Sequence, residues 1–228
     1  MRGQGRRAGR YRDRSEAGLV PPVSDGSPAR AQWEQRYGAD EYLYGTEPNE
    51  FLRDHADELP PGRVLCLAEG EGRNAVFLAG RGFEVHSIDL TSAGVDKTMR
   101  LAAARGVEVQ ARTGDLADAD LGYGSWSGIV SVFAHVPPDV RRALHRRVVD
   151  ALAPGGVLLL EAYTPDQVGR GTGGPPIAEL TMTLAGLREE LDGLDVVLGQ
   201  ELVRDVVEGS GHTGPGAVVQ LVARRPSA

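Results

Sequence analysis

The residues able to do chemistry fall in a few short stretches. In "LCLAEGEGRNA", Leu65 to Ala75, apolar residues run into Glu69-Gly70-Glu71-Gly72, and an apolar helical pattern follows. The spacing Gly70-x-Gly72-x-x-Ala75 fits a nucleotide-binding turn after a strand. Two carboxylates, however, flank its first glycine. A pyrophosphate at that helix N-terminus would sit beside Glu69 and Glu71, and like charges so close are costly. A phosphate-free, positively charged ligand suits the turn better. Asp89 ends the next strand-like run, where an acid can take both ribose hydroxyls. Asp115 in "ARTGDLAD" follows a third such run and can hydrogen-bond an adenine amino group, with Leu116 as an alternative backbone donor.

The histidines carry the remaining chemistry. His135, in "FAHVPPD", can orient or deprotonate an acceptor, or simply flank the helix that follows. His212 sits between glycines in "EGSGHTGP", a loop expected to open on the ligand face. His145 lies among arginines on a helix and reads as solvated; His86 lies inside a strand and reads as structural. The single cysteine, Cys66, reads as a small buried residue rather than a nucleophile. No spacing reads as a metal site.

Alternating elements must hold these groups. "RVLCLA", "FEVHSIDL", "VEVQART", "WSGIVSVF" and "VLLLEAY" are five expected strands. Expected helices separate them: one in "GRNAVFLAGRG", one over "SAGVDKTMRLAAARG" with Ser92 as N-cap, and one in "PDVRRALHRRVVDALAPGG". Upstream, Glu47 to Leu59 is expected to be a helix capped by Thr46. Downstream come a Gly/Pro loop, a short helix "LAGLREEL" and two strands, "LDVVLGQELVRDVV" and "GAVVQLVARR". Repeated strand–helix units imply an α/β doubly wound, mostly parallel sheet. The last two strands lack a helix between them, so they must form an antiparallel hairpin. Ligands of such sheets bind outside the carboxyl ends of the strands.

The 228 residues suffice for one domain with a full core. The net charge of −7 is uneven: residues 1–30 hold seven arginines against three acids, leaving about −11 for the rest. An acidic body argues against nucleic acid as a partner, no apolar run reaches membrane-spanning length, and one cysteine favours a cytoplasmic setting. Residues 1–30 are expected to be a disordered Arg-rich extension and 31–228 a single domain. Its first part, 31–60, is an aromatic-rich helical segment able to act as a lid.

These motifs resemble the class I S-adenosylmethionine-dependent methyltransferases over residues 31–224. "VLCLAEGEGRNAVFLA" looks like the family's first motif, "VHSIDL" its ribose-binding strand end, "TGDLAD" its adenine motif, and "LAPGGVLLLEAY" its fifth strand. "WEQRYGADEYLYGTEPNEFL" is similar to the small-molecule branch that includes tellurite-resistance and thiopurine-type enzymes. The resemblance implies a Rossmann-like seven-stranded fold with S-adenosyl-L-methionine held by Ala68, Glu69, Gly70, Glu71, Gly72, Asn74, Asp89, Leu90, Asp115, Leu116 and Phe133. It implies methyl transfer to a small soluble acceptor (thiol, selenium or tellurium species among them), with His135 and His212 as catalytic candidates. The alternatives are a non-catalytic S-adenosylmethionine-binding module that uses the arginine tail to recruit RNA, and a nicotinamide-dependent reductase. Cys66 and Ala68 depart from the family pattern, which has an acid and a glycine there; Glu69 or Glu71 is then expected to replace the acid.

Overall fold

The computed structural model describes residues 27–227. Seven strands form one sheet: β1 (Arg63–Leu67), β2 (Glu84–Asp89), β3 (Val109–Thr113), β4 (Trp126–Val132), β5 (Leu152–Tyr163), β6 (Asp195–Glu208) and β7 (His212–Arg224). Their order is β3-β2-β1-β4-β5-β7-β6. The first five pair in parallel, while β7 is antiparallel to both β5 and β6. The expected fold class is therefore the observed one, and β6 ends at the same edge as β1, β4 and β5.

The central strands are apolar on both faces, because helices cover both. Leu65, Leu67, Ile129, Leu158 and Leu160 point to one side, against Leu144 and Val148 of α5 (Pro138–Ala151) and Leu187 of α6 (Leu184–Glu190). The alternate residues Val64, Cys66, Val130, Val157 and Leu159 face the other side. There they meet Phe51 and Leu52 of α2 (Glu50–His55), Ala75 and Leu78 of α3 (Arg73–Gly80) and Leu101 of α4 (Ser92–Arg105). This strict period of two is the strand's own geometry.

Several boundaries differ from the sequence expectation. Helix α1 spans Pro28–Tyr37, capped by Ser27, whose hydroxyl accepts from Arg30 N at 3.2 Å. A helix is thus already formed ahead of residue 31, and residues 1–26 of the expected extension lie outside the described residues. Helix α2 is shorter than Glu47–Leu59 and starts after Asn49, not Thr46, because the Asn49 side-chain Oδ1 caps Leu52 N at 3.0 Å. Thr91, not Ser92, caps α4, through Gly94 N at 3.1 Å. The ladder between β6 and β7 runs from Asp195↔Arg224 to Glu208↔His212. Only Gly209, Ser210 and Gly211 remain as a turn, so His212 belongs to a strand and not to an open loop. His145 is buried, not solvated, with Nδ1 2.7 Å from Glu190.

Candidate functional site

The glycine turn is built from β1 outward. Ala68 (φ 47°), Gly70 (φ 66°) and Gly72 (φ 94°) take left-handed backbone, which bends the chain sharply into α3. At Gly72 a Cβ would lie 2.6 Å from the Thr98 backbone of α4. Glycine is required there by helix packing as well as by any ligand. At Gly70 a Cβ would lie 2.7 Å from the Tyr37 hydroxyl, so the end of α1 lies over the turn.

Each of the three acids is engaged. Glu69 Oε1 accepts from Asn74 N at 2.9 Å and Ala75 N at 2.8 Å, capping α3, and the Cys66 thiol hydrogen-bonds to the same carboxylate. Burial pushes the Glu69 carboxyl up to about 7, against the pull of those donors and of Arg73. Glu71 is fully buried with Lys97, at 2.7 Å, and also accepts from Tyr44 N at 3.4 Å. Lys97 Nζ donates in addition to Glu41 O at 2.6 Å. Asp89 Oδ2 accepts from Gly70 N at 2.8 Å; its Oδ1 accepts from Thr91 N and Oγ1 at 2.9 and 2.6 Å. A carboxylate has about four acceptor positions, so Asp89 retains room on Oδ2 while tying β2 to the turn. Asp89→Ala is expected to lower both folding stability and cofactor affinity by about 1–3 kcal/mol each. Paired urea melts and calorimetry check this; a loss of stability alone would make Asp89 purely structural.

Asp115 sits in a turn it makes itself, with Oδ1 accepting from Ala117 N at 2.8 Å, and Leu116 packs into the core. Leu90, half-buried, follows Asp89 at the end of β2.

A second group gathers at the ends of β4, β5 and β6. Phe133 leaves β4 in left-handed backbone, φ 53°, and stacks on Tyr163 with ring centroids 4.5 Å apart. His212 meets Phe133 at 4.7 Å, Tyr44 at 4.6 Å and Tyr163 at 5.4 Å. Its Nδ1 lies 2.9 Å from Glu208, which also accepts from Arg73 at 2.7 Å and from Asn49 at 2.9 Å. Despite burial, His212 and Arg73 hold the Glu208 carboxyl down to about 2. An ionised Glu208 accepts a hydrogen bond from Nδ1–H, which leaves the ring's lone pair on Nε2. Below it, Glu161 is wholly buried yet satisfied, with Asn49, Gln220 and two nitrogens of Arg204 at 2.6–2.8 Å.

His135 is differently placed. Its Nδ1 lies 2.9 Å from Leu180 O and its Nε2 accepts from Tyr163 N at 3.3 Å. Both nitrogens are spent on main chain, and burial lowers the ring's pKa to about 4. A neutral imidazole so held offers no lone pair to an acceptor's proton.

The N-terminal segment bridges the two groups. Glu34 of α1 caps α4 through Ser92 N at 2.7 Å and Ala93 N at 3.0 Å. Leu43 O accepts from Ser210 N at 2.9 Å and Gly211 N at 3.0 Å. A Cβ at Gly209 or Gly211 would collide with Leu43, Tyr44 and Gly45. Those glycines make room for the N-terminal segment around residues 43–45. Sequence reasoning missed Asn49, Arg73, Lys97, Tyr163 and Glu208. The only local signals were the placing of Arg73 next to Gly72 and of Glu208 four residues before His212.

Among the described residues no helix is long and apolar enough to cross a membrane, and no group of three or more His, Cys, Asp or Glu could hold a metal ion.

Residues 64–156 match the methyltransferase domain family. A curated relative, ribosomal RNA small subunit methyltransferase C of Alcanivorax borkumensis, is 29% identical over 111 residues, 45% of this chain. The chain spans about a third of that relative's length, 32%. Three solved structures share the fold. TehB from Haemophilus influenzae has a TM-score of 0.65 at 17% identity, over 86% of this chain and 66% of its own. The N-methyltransferase NodS from Bradyrhizobium japonicum, in complex with S-adenosyl-L-homocysteine, has 0.65 at 15%, over 87% and 98%. A structure from the conversion of a disulfide bond into a thioacetal group during echinomycin biosynthesis has 0.71 at 19%, over 86% and 91%. Residues 64–156 thus match a methyltransferase domain, whose cofactor is S-adenosylmethionine, on a fold that the three structures share. The donor set fits that cofactor: Glu69 and Asp89 lie at the turn, while Lys97 and Arg73 each already face a carboxylate. A pyrophosphate would set further negative charge beside these acids, whereas a sulfonium and an ammonium meet carboxylates.

Proposed function

We propose that this methyltransferase acts on a small acceptor whose reacting atom is held between Phe133, Tyr163 and Tyr44, with His212 Nε2 taking the acceptor's proton. When bound, the cofactor supplies an electrophilic methyl on a good leaving group. What the chain must add is position, exclusion of water and a base. The observation that carries the reading is the Glu208–His212 pair, held against the glycine turn by Arg73. The base is buried under aromatic rings, which desolvates it and the acceptor together.

Such a site suits a neutral thiol, hydroxyl or amine, because each must lose a proton at or after transfer. Among these a thiol needs the least help from a base and a hydroxyl the most. The test is product formation from S-adenosylmethionine with a panel of small thiols, phenols and amines. Cofactor binding without transfer to any of them would favour a non-catalytic binding module.

Tyr163 bears on the acceptor. Its hydroxyl is fully buried without a hydrogen-bond partner, and burial, with Glu208 and Glu161, keeps the phenol protonated. An unmet buried hydroxyl is costly unless a ligand meets it. Tyr163→Phe should leave folding stability unchanged or raise it by up to about 1 kcal/mol, yet raise the acceptor's KM roughly tenfold. Equal KM values in the two proteins would detach Tyr163 from the acceptor.

A further inference from the structure

We propose that Arg73 holds the carboxylate of the cofactor's amino-acid end, with Glu69 facing its ammonium. This rests on the chain binding S-adenosylmethionine and assigns residues that the family pattern does not supply here. Arg73 is the first residue of α3, directly after Gly72, and only 7% of it is exposed. Its Nη2 donates to Glu208 at 2.7 Å, while its Nη1 is buried with no partner. A guanidinium nitrogen carries two N–H donors, and leaving them unmet inside a protein is costly. The site is therefore complete only when an oxygen ligand is present.

Other cations of the site are committed. Lys97 has Glu71 Oε1 and Glu41 O, both within 2.7 Å. Arg204 has Glu161, Glu50 and Asp205 O. Arg73 Nη1 is the buried cationic donor left over beside the turn.

Glu69 supplies the opposite charge. It stands three residues after Cys66, where the usual first-motif acid is missing, and both side chains touch. Both main-chain donors reach it through Oε1. Oε2 takes no main-chain donor. Arg73 is among the charges that stabilise the Glu69 carboxylate. A carboxylate and a half-used guanidinium thus flank one glycine turn. This arrangement complements a zwitterion, which the amino-acid end of S-adenosylmethionine is. A group without an acceptor oxygen would leave Nη1 unmet. The displacement of the acid from position 66 to 69 and the arginine at 73 then form one device.

The test is calorimetry with three ligands: S-adenosylhomocysteine, its decarboxylated analogue, and 5′-methylthioadenosine, which lacks the amino-acid end. The wild type should prefer S-adenosylhomocysteine over the decarboxylated analogue by about tenfold or more, the range of one charge-assisted hydrogen bond. Arg73→Gln should abolish that preference and leave 5′-methylthioadenosine binding unchanged; Arg73→Lys should keep part of it. If Arg73→Gln does not fold, the Arg73→Gln/Glu208→Gln double variant, with no unpaired buried charge, makes the same comparison. Preference for the carboxylate retained without Arg73 overturns the assignment. Equal weakening of all three ligands overturns it also, because Arg73 would then only shape the turn. Failure of the wild type to bind S-adenosylhomocysteine would instead remove the cofactor reading itself.

Discussion

Replacing His212 with glutamine is expected to lower the rate of methyl transfer about a hundredfold or more, the usual contribution of a positioned base. Binding of S-adenosylhomocysteine should stay within about twofold of wild type. The argument is geometric. Glu208 accepts a hydrogen bond from Nδ1–H at 2.9 Å, so the ring presents Nε2 in one tautomer, walled by Phe133, Tyr163 and Tyr44. Glu208→Gln should produce a smaller loss of rate, because the imidazole stays but its orientation and tautomer are no longer enforced. A thiol acceptor should show the mildest effect and a hydroxyl the largest, since the thiol more readily loses its proton unaided. Paired rate and calorimetric measurements decide. Full activity in the glutamine variant, or a matching loss of cofactor affinity, would refute His212 as the base.

Lys97→Met should destabilise the protein by about 3–5 kcal/mol, the cost of leaving one member of a buried ion pair unpaired. Lys97 and Glu71 are each almost wholly buried, 2.7 Å apart. Removing the ammonium strands the Glu71 carboxylate beneath the glycine turn and also frees Glu41 O, its anchor on the N-terminal segment. Glu71→Gln added to Lys97→Met should recover most of the loss, because no bare charge remains. Urea denaturation of the three variants measures this. A single-variant loss below about 1 kcal/mol would show that water reaches Glu71 and that the pair is not a structural tie.

The sheet was legible in the sequence because its signals are local. Alternating apolar runs and helical periods announced five parallel strands, and the eight residues of "EGSGHTGP" leave no room for a crossover helix between the last two strands. The glycine turn was legible for the same reason, since Gly70 and Gly72 lie within one short stretch of chain. Lengths were less so. The β6–β7 ladder extends to Glu208↔His212 because pairing continues across glycines that read as loop. That extension turned His212 from a loop residue into a buried strand residue.

What the sequence by itself determined is the architecture and the charge of the cofactor turn, since both follow from residues close along the chain. The tertiary structure alone decided what each polar group does. Glu208 meets Arg73 across 135 residues, Lys97 meets Glu71 across 26, and Asn49 meets Glu161 across 112. Equal-looking histidines were separated in the same way. His135 has both nitrogens taken by Leu180 and Tyr163 main chain, whereas Glu208 holds His212 by one nitrogen only. Hydrogen-bond satisfaction depends on neighbours in space. A chain whose partners lie dozens of residues apart carries no local pattern that names them.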